Sequence, residues 1–281
     1  MADTAVGDAD LDIGGGQLAR RILVGEQFGA GGMGSQSVDV CGGILIFRSH
    51  LNLCPKSQPT CVGRNGGYAD AIRVNSRFAI PVPEVLESEN VTPLLCGGIT
   101  VYSPLRNLLA SPASRVGVVG IGGLGHLGLQ FARAFGCEVT AFSTSADKEA
   151  EAKELGAHNF VNSRDSAALK AAAGSLDLIL STVSADQDFQ AYVNALRPKG
   201  TLCLLGASPS NLSVSPFSLL SGEKAVAGSN IGSPRVIHEM LDVAARHNIK
   251  AITESFAMKD ANEAIARVKK NQVRYRAVLA N

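Results

Sequence analysis

The chain has 281 residues, of which 46% are hydrophobic and 18% are charged, and its 26 basic side chains nearly balance 25 acidic ones. This length favours two domains, or one large domain with an appendage. A net charge of +1 without a long basic run excludes a nucleic-acid-binding tract and a membrane-surface patch. No apolar stretch approaches the roughly 20 residues of a membrane-spanning helix, and the acidic N-terminus lacks a signal-peptide pattern. We therefore expect a cytoplasmic protein with neither a nucleic-acid nor a membrane partner.

The cysteines are too widely spaced for the framework of a small disulfide-rich protein. No CxxC is present, so reduced thiols are expected, with metal binding as the one special role to test. Cys137 and Cys203 fall in or beside predicted strands and are expected in the core, while Cys61 is expected to pack rather than to bind metal. The six cysteines are Cys41, Cys54, Cys61, Cys96, Cys137 and Cys203.

Residues 1–50 are rich in glycine and show little periodicity, and within them only Ile44-Leu-Ile-Phe47 resembles a strand. The pattern becomes regular near residue 66, where a turn leads into an alternating strand that ends at Val74.

Strands and helices then alternate along the chain. Short apolar runs predict six strands at 115–119, 138–142, 159–161, 177–180, 201–205 and 225–229. Helical spacing of apolar residues places helices at 124–135, 148–155 and 189–196. Such alternation predicts βαβ crossovers, and hence a parallel sheet that is covered by helices on both faces.

The C-terminal end is predicted to be helical and then extended. Ser233-Pro234 begins one helix, since proline is tolerated in the first helical turn. Asp260 and Glu263 have the spacing of a capping box and begin a second helix. The residues from Arg276 to Leu279 predict a final strand, which we expect to return toward the N-terminal lobe.

A glycine-rich turn follows the first strand of the predicted sheet. Gly120-Ile-Gly122-Gly-Leu-Gly125 fits the pattern G-x-G-x-x-G between a strand and an amphipathic helix. Glycines let the backbone turn tightly and approach a pyrophosphate, toward which the amides of the helix N-terminus point. The alternative is a loop that only packs the helix on the sheet.

The end of the second strand predicts which dinucleotide binds. An acidic residue there would bind the ribose 2′-hydroxyl of NAD(H), but this strand ends in Ser143-Thr144-Ser145, with Lys148 three residues later. Hydroxyls and an ammonium group suit a 2′-phosphate, which a carboxylate would repel, so we predict NADP(H). The alternative is that these hydroxyls only cap the next helix.

Several motifs together resemble the zinc-dependent medium-chain alcohol dehydrogenases, and more narrowly their cinnamyl alcohol dehydrogenase branch. These motifs are residues 97–105, 119–128, 143–145, 177–184, 206–207, 227–232 and 273–276, and the resemblance covers roughly residues 51–281. It implies an α/β protein with a Rossmann doubly wound parallel sheet and an incomplete, mostly β (GroES-like) catalytic lobe. It also implies NADPH-linked reduction of aldehydes, and a homodimer that pairs through the edge strand near 225–231.

The resemblance also implies which residues contact the cofactor. Thr100 is expected near the nicotinamide, and the turn that contains Gly120, Gly122, Gly123, Leu124 and Gly125 under the pyrophosphate. The 2′-phosphate is expected at the strand end formed by Ser143, Thr144 and Ser145, together with Lys148. The nicotinamide and ribose wall is expected from Thr182, Val183, Gly206, Ser229, Asn230 and Ile231.

The family's zinc ligands are only partly present. Cys96 matches the later cysteine of the catalytic site and Cys54 matches the fourth ligand of the structural site, but the Gly-His-Glu motif and the early catalytic cysteine are absent. A catalytic zinc needs three protein ligands. A zinc-free reductase would need another electrophile, and Tyr102 and Ser103 are the nearby candidates. His126, in the glycine turn, is expected to pack or hydrogen-bond locally.

Two functions remain open at this stage. The first is an NADP(H)-dependent alcohol dehydrogenase or aldehyde reductase; the second is a dinucleotide-binding remnant that has lost the catalytic zinc site. We expect four segments: a divergent segment at 1–50, a remnant of the catalytic lobe at 51–95, an NADP-binding domain at 96–232, and C-terminal helices with a strand at 233–281. Residues 1–50 do not resemble the family's catalytic lobe, so they are either naturally altered or translated from a reading frame other than the ancestral one.

Overall fold

The computed structural model describes residues 51–54, 67–69 and 78–280 with their side chains, and the backbone of the strands at 10–13, 36–37, 58–59 and 72–75. The strand predicted at 44–47 lies outside these residues, as do Cys41 and Cys61. The structure adds a strand that the sequence analysis did not foresee, β1 (Asp10–Ile13). It pairs antiparallel with β4 (Ile72–Asn75), while β2 (Gln36–Ser37) pairs antiparallel with β3 (Gln58–Pro59).

A six-stranded parallel sheet forms the centre of the described structure. Its spatial order is β10-β9-β8-β5-β6-β7, which is the order of a doubly wound dinucleotide-binding sheet. All six predicted strands are confirmed, although one begins five residues earlier than predicted, because Leu196 already pairs with Leu176 before an irregularity in the register. The strands are β5 (Arg115–Val119), β6 (Glu138–Ser143), β7 (Asn159–Asn162), β8 (Leu176–Ser181), β9 (Leu196–Leu204) and β10 (Ala225–Gly228).

Helices connect these strands and precede and follow the sheet. In the part of the chain with side chains, none is long and apolar enough to cross a membrane. Single 3₁₀ turns lie at 51–53, 92–95, 146–148 and 258–260. The α-helices are α1 (Ser88–Val91), α2 (Gly97–Asn107), α3 (Gly125–Ala134), α4 (Glu149–Glu154), α5 (Ser166–Ala171), α6 (Phe189–Ala195), α7 (Pro216–Leu220), α8 (Pro234–His247) and α9 (Ala261–Lys269).

Successive side chains of a strand point to opposite faces of the sheet, and the helical connections of a parallel sheet cover both faces. The central strands therefore contribute to a core on each face. On β5, Val116 and Val118 belong to a core shared with α2, α3 and α8, whereas Val119 belongs to a second core shared with α6. Cys137 and Cys203 are buried free thiols, as predicted. The two hydrophobic cores hold the carboxyl ends of β5, β6 and β8 at one edge.

The C-terminal end contains the two predicted helices and the predicted final strand, but an additional strand, β11 (Thr253–Ala257), lies between the helices and was not predicted. Pro234 lies in the first turn of α8, as predicted. The capping box predicted at Asp260 is wrong, because Asp260 makes no side-chain cap and continues from a preceding 3₁₀ turn instead of an extended segment. The final strand, β12 (Arg276–Ala280), pairs in parallel with β11 (Thr253–Ala257).

Hydrogen bonds from α3 attach this C-terminal sheet to the large sheet. Fully buried His126 accepts the Ile252 N–H at Nε2 (3.2 Å), and its Nδ1 lies 2.9 Å from the Gly122 carbonyl oxygen, to which it donates. Gln130 bonds both the N–H and the carbonyl of Lys250. His126 therefore packs and bonds locally, as predicted, and its neutral form is the one that fits both partners.

Replacing His126 should reduce the loss of unfolding free energy that occurs as the pH is lowered. Burial lowers the pKa of His126 to about 4, whereas an unfolded histidine titrates near about 6.5. The unfolded chain therefore binds the proton first, so the contribution of neutral His126 is complete above about pH 6.5 and is lost toward about pH 4. We expect this residue to account for up to about 3 kcal/mol of the loss in unfolding free energy over that range.

Urea unfolding of the wild type and His126→Gln between pH 7 and pH 4 measures this contribution. His247→Gln, which replaces an exposed histidine, is the matched control. Equal acid dependence in the wild type and His126→Gln would contradict the assignment.

Candidate functional site

A cleft of about 560 Å³ opens at the carboxyl ends of β5, β6 and β8. This is where open α/β sheets of this order bind their ligands. Beyond the predicted residues, Ser163, Tyr192 and residues 185–188 also line it. The cleft brings together ten of the predicted cofactor residues: Gly120, Gly122, Gly123, Leu124, Ser143, Thr144, Ser145, Lys148, Thr182 and Val183.

The three motif glycines are required for three different reasons. Gly120 has φ +85°, and a Cβ there would lie 2.3 Å from the Val183 side chain. A Cβ at Gly125 would lie 1.8 Å from the Gly120 carbonyl oxygen, so any side chain would push α3 away from β5. A Cβ at Gly122 would meet nothing within 4 Å. Gly122 therefore borders open space that a phosphate can approach closely.

A buried arginine from the last strand lies beside this turn. Arg276 Nε donates to the Gly123 carbonyl oxygen (2.9 Å), and Nη2 is enclosed without a hydrogen-bond partner among the described residues. A buried unpaired donor is costly, so Nη2 suits an anion that enters at the glycine turn. The sequence analysis quoted Arg276 within a motif but gave it no role.

The end of β6 presents hydroxyl groups and an ammonium group to the cleft. Buried Ser143 Oγ accepts the N–H of Ser145 (3.1 Å). Lys148 Nζ donates to the carbonyl oxygen of Ile121 (2.6 Å), which keeps the ammonium group over the glycine turn. Burial lowers the pKa of Lys148.

The two carboxylates that line the cleft belong to the segment after β8 and not to the end of β6. Asp186 accepts bonds from Ser208 and Ser210, and Asp188 caps α6 through the Ala191 N–H. Neither therefore occupies the position that would bind a ribose 2′-hydroxyl.

The other predicted contact residues lie outside this cleft. Thr100 is buried in α2, and its hydroxyl donates to the Cys96 carbonyl oxygen (2.7 Å).

The remaining predicted residues support the strands and helices around the cleft. The Ser229 N–H extends the pairing of β10 by donating to the Leu204 carbonyl oxygen. Gly206 packs on the backbone of Val183. Asn230 accepts a bond from Asn52 at its carbonyl, Ile231 packs against the core, and Gly125 begins α3.

The described residues do not form a zinc site. Among them no group of three His, Cys, Asp or Glu side chains could hold a metal. Cys96 is buried beside Arg276, and burial raises the pKa of its thiol. The expectation of reduced thiols is wrong for Cys54, which is disulfide-bonded and could act as a thiolate ligand only after reduction. With one thiol where three ligands are needed, these residues do not fit a catalytic zinc.

The two residues considered as a substitute electrophile lie away from the cleft. The Tyr102 hydroxyl donates to Glu239 of α8 (2.8 Å), and Ser103 is buried in α2 without a partner among the described residues. Neither side chain lines the cleft.

Comparison with known proteins places this geometry in a family. Residues 123–246 match the family model described as a zinc-binding dehydrogenase. The chain is 43% identical to an aldehyde reductase, AdhA, from Synechocystis sp., over 82% of this chain and 68% of the relative. It superposes with a TM-score of 0.77 on the crystal structure of CAD from Helicobacter pylori complexed with NADP(H), at 30% identity, over 88% of this chain and 73% of the other.

A third comparison extends the resemblance. The chain is 39% identical to the probable cinnamyl alcohol dehydrogenase 6 of Arabidopsis thaliana, over 94% of this chain and 74% of the relative. The alignment leaves about 6% of the 281 residues uncovered, which is about 17 residues. It therefore includes part of residues 1–50, where no resemblance was predicted. The chain therefore belongs to the zinc-dependent medium-chain alcohol dehydrogenases, in their cinnamyl alcohol dehydrogenase branch.

Proposed function

We propose that this chain is an NADP(H)-dependent alcohol dehydrogenase or aldehyde reductase that acts on a small alcohol or aldehyde. One observation carries the cofactor choice. Ser143, Thr144, Ser145 and Lys148 line the cleft edge after β6, whereas Asp147, the carboxylate of this segment, does not line the cleft. A 2′-phosphate gains charge-assisted hydrogen bonds there, whereas NAD(H) would lack the carboxylate that binds its free ribose hydroxyl.

Each part of the cleft has a role in binding. The open face of Gly122 admits the pyrophosphate, and Arg276, which does not line the cleft, bonds the Gly123 carbonyl oxygen and places a positive charge beside the turn. Thr182 Oγ1 lies 2.9 Å from the carbonyl oxygens of both Val119 and Gly120, so it fixes the turn against β8. When bound, the nicotinamide supplies the hydride that is exchanged with the substrate carbonyl.

The second candidate is an NADP-binding remnant without turnover. The observation that favours it is the number of ligands: among the described residues, no group of three His, Cys, Asp or Glu side chains could hold a metal, and Cys96 is the one member of the expected catalytic set. The cofactor cleft does not depend on that set, since its lining comes from the parallel sheet and its connections.

Further features of the family are proposed by resemblance. β10 is an edge strand of the sheet, and the neighbouring α7 exposes Phe217 and Leu220, each 76% accessible. This edge suits pairing with a second copy of the chain, so we propose a homodimer in the cytoplasm. The divisions at residues 50, 95 and 232 are likewise proposed.

Turnover separates the enzyme from the remnant. We expect purified protein to oxidise NADPH when an aldehyde is present, followed by absorbance at the NADPH band, with zinc per chain measured on the same sample by mass spectrometry. A rise in melting temperature with NADPH, without oxidation of any aldehyde and without metal, would instead establish the remnant.

Lys148→Ala should discriminate between the two dinucleotides. Losing one charge-assisted contact should weaken NADPH binding by roughly 10-fold to 100-fold and leave NADH binding unchanged, as measured by calorimetric titration. Lys153→Ala is the matched control, because Lys153 lies on α4, which directly follows Lys148, and pairs with Glu149. Equal losses for NADPH and NADH would contradict the role of Lys148.

Two glycine variants separate binding from folding. Gly122→Ala adds a methyl group that contacts nothing in the protein, so the melting temperature should hold while NADPH affinity falls at least about tenfold. Gly125→Ala places a methyl group against the Gly120 carbonyl, so the melting temperature itself should fall. Unchanged NADPH affinity in Gly122→Ala would exclude this turn as the pyrophosphate site.

A further inference from the structure

We propose that Tyr275, with Arg274 and Glu151, positions the Lys148 ammonium group for the 2′-phosphate and thereby sets the preference for NADPH over NADH. This inference rests on the proposed NADP(H) function. It adds a layer of residues that do not line the cleft themselves and that act through Lys148.

The aromatic ring of Tyr275 is in contact with Lys148. Lys148 Nζ lies 5.2 Å from the ring centroid, within the range of a cation–π contact. The His126 ring stacks on the same tyrosine, with 4.9 Å between centroids and 23° between planes. Since His126 is fully buried and bonded to Gly122, the Tyr275 ring is fixed relative to the glycine turn. The ring and the Ile121 carbonyl together hold the ammonium group beside the cleft.

Two carboxylates act on the charge of Lys148, exposed Asp147 beside it in sequence and Glu151, and Glu151 is the one that Tyr275 and Arg274 bond. It lies three residues after Lys148, a spacing at which oppositely charged side chains pair on a helix surface. Here its carboxylate is occupied, because the Tyr275 hydroxyl donates to Oε2 and Arg274 bonds both oxygens, with Nε to Oε1 at 3.0 Å. These bonds hold the pKa of Glu151 below its ordinary value despite burial.

The arrangement therefore separates two charges that would otherwise neutralise each other. Arg274 satisfies Glu151, and Tyr275 lies against Lys148, so the ammonium group remains available to a phosphate. Losing either residue should release Lys148 to Glu151 or to solvent. Only NADPH has the 2′-phosphate that needs this charge, so NADH binding should not change.

Titration of dinucleotide fluorescence with the full chain tests this. We expect Tyr275→Leu to lower the ratio of NADPH affinity to NADH affinity by about fivefold, the worth of one cation–π contact to a partly exposed lysine. Tyr275→Phe keeps the ring and should stay within about twofold of the wild type. In a Lys148→Ala background, Tyr275→Leu should lower the ratio no further, because the residue acts through Lys148.

Arg274→Ala keeps the test decisive if Tyr275→Leu does not fold, since Arg274 is exposed. Freed Glu151 should then capture Lys148 and lower the ratio, and adding Glu151→Gln should restore it. Three results would overturn the inference while the proposed function stands. They are equal losses of affinity for both dinucleotides, an unchanged affinity ratio in both Tyr275→Leu and Arg274→Ala, and failure of Glu151→Gln to restore the ratio. A wild-type chain that shows no preference for NADPH would overturn the proposed function, and this inference with it.

Discussion

The close approach of two backbone segments at the glycine turn is the constraint on which the site depends. Position 125 accepts no side chain, because a Cβ there would lie 1.8 Å from the Gly120 carbonyl oxygen. This contact places the first turn of α3 directly against the end of β5. It leaves Gly122 facing open space and buries His126, which then bonds both the turn and Ile252. The shape of the cleft and the attachment of the C-terminal sheet follow from one contact.

The C-terminal segment completes a site that the parallel sheet alone would leave open. Arg276 brings a buried guanidinium to the turn, and Tyr275 and Arg274 organise the charges around Lys148. These residues lie about 150 positions from the glycines in sequence. Arg276 begins a strand of a separate two-stranded sheet, and Arg274 and Tyr275 directly precede it. The proposed cofactor cleft and the residues proposed to tune it are therefore far apart in sequence, and packing on α3 brings them together.

Short sequence patterns predicted the features that depend on neighbouring residues, which are the strands and the glycine turn. The six strands of the parallel sheet appeared as short apolar runs, and the glycine turn could be recognised because it lies between a strand and a helix. The capping box at Asp260 failed because a 3₁₀ turn preceded it, which the spacing of two carboxylates cannot reveal. The roles of Tyr275 and Arg276 depend on long-range contacts that leave no periodicity in the sequence. The absence of the Gly-His-Glu motif can be read directly from the sequence, and the incomplete set of zinc ligands stays a prediction.

The position of the 2′-phosphate in a crystal structure of the NADPH complex tests the central claim most directly. We expect this phosphate within hydrogen-bonding distance of Lys148 Nζ and of the Ser143-Thr144-Ser145 segment, with the pyrophosphate over Gly122. A dinucleotide bound elsewhere, or one whose 2′-phosphate points into solvent away from Lys148, would contradict it.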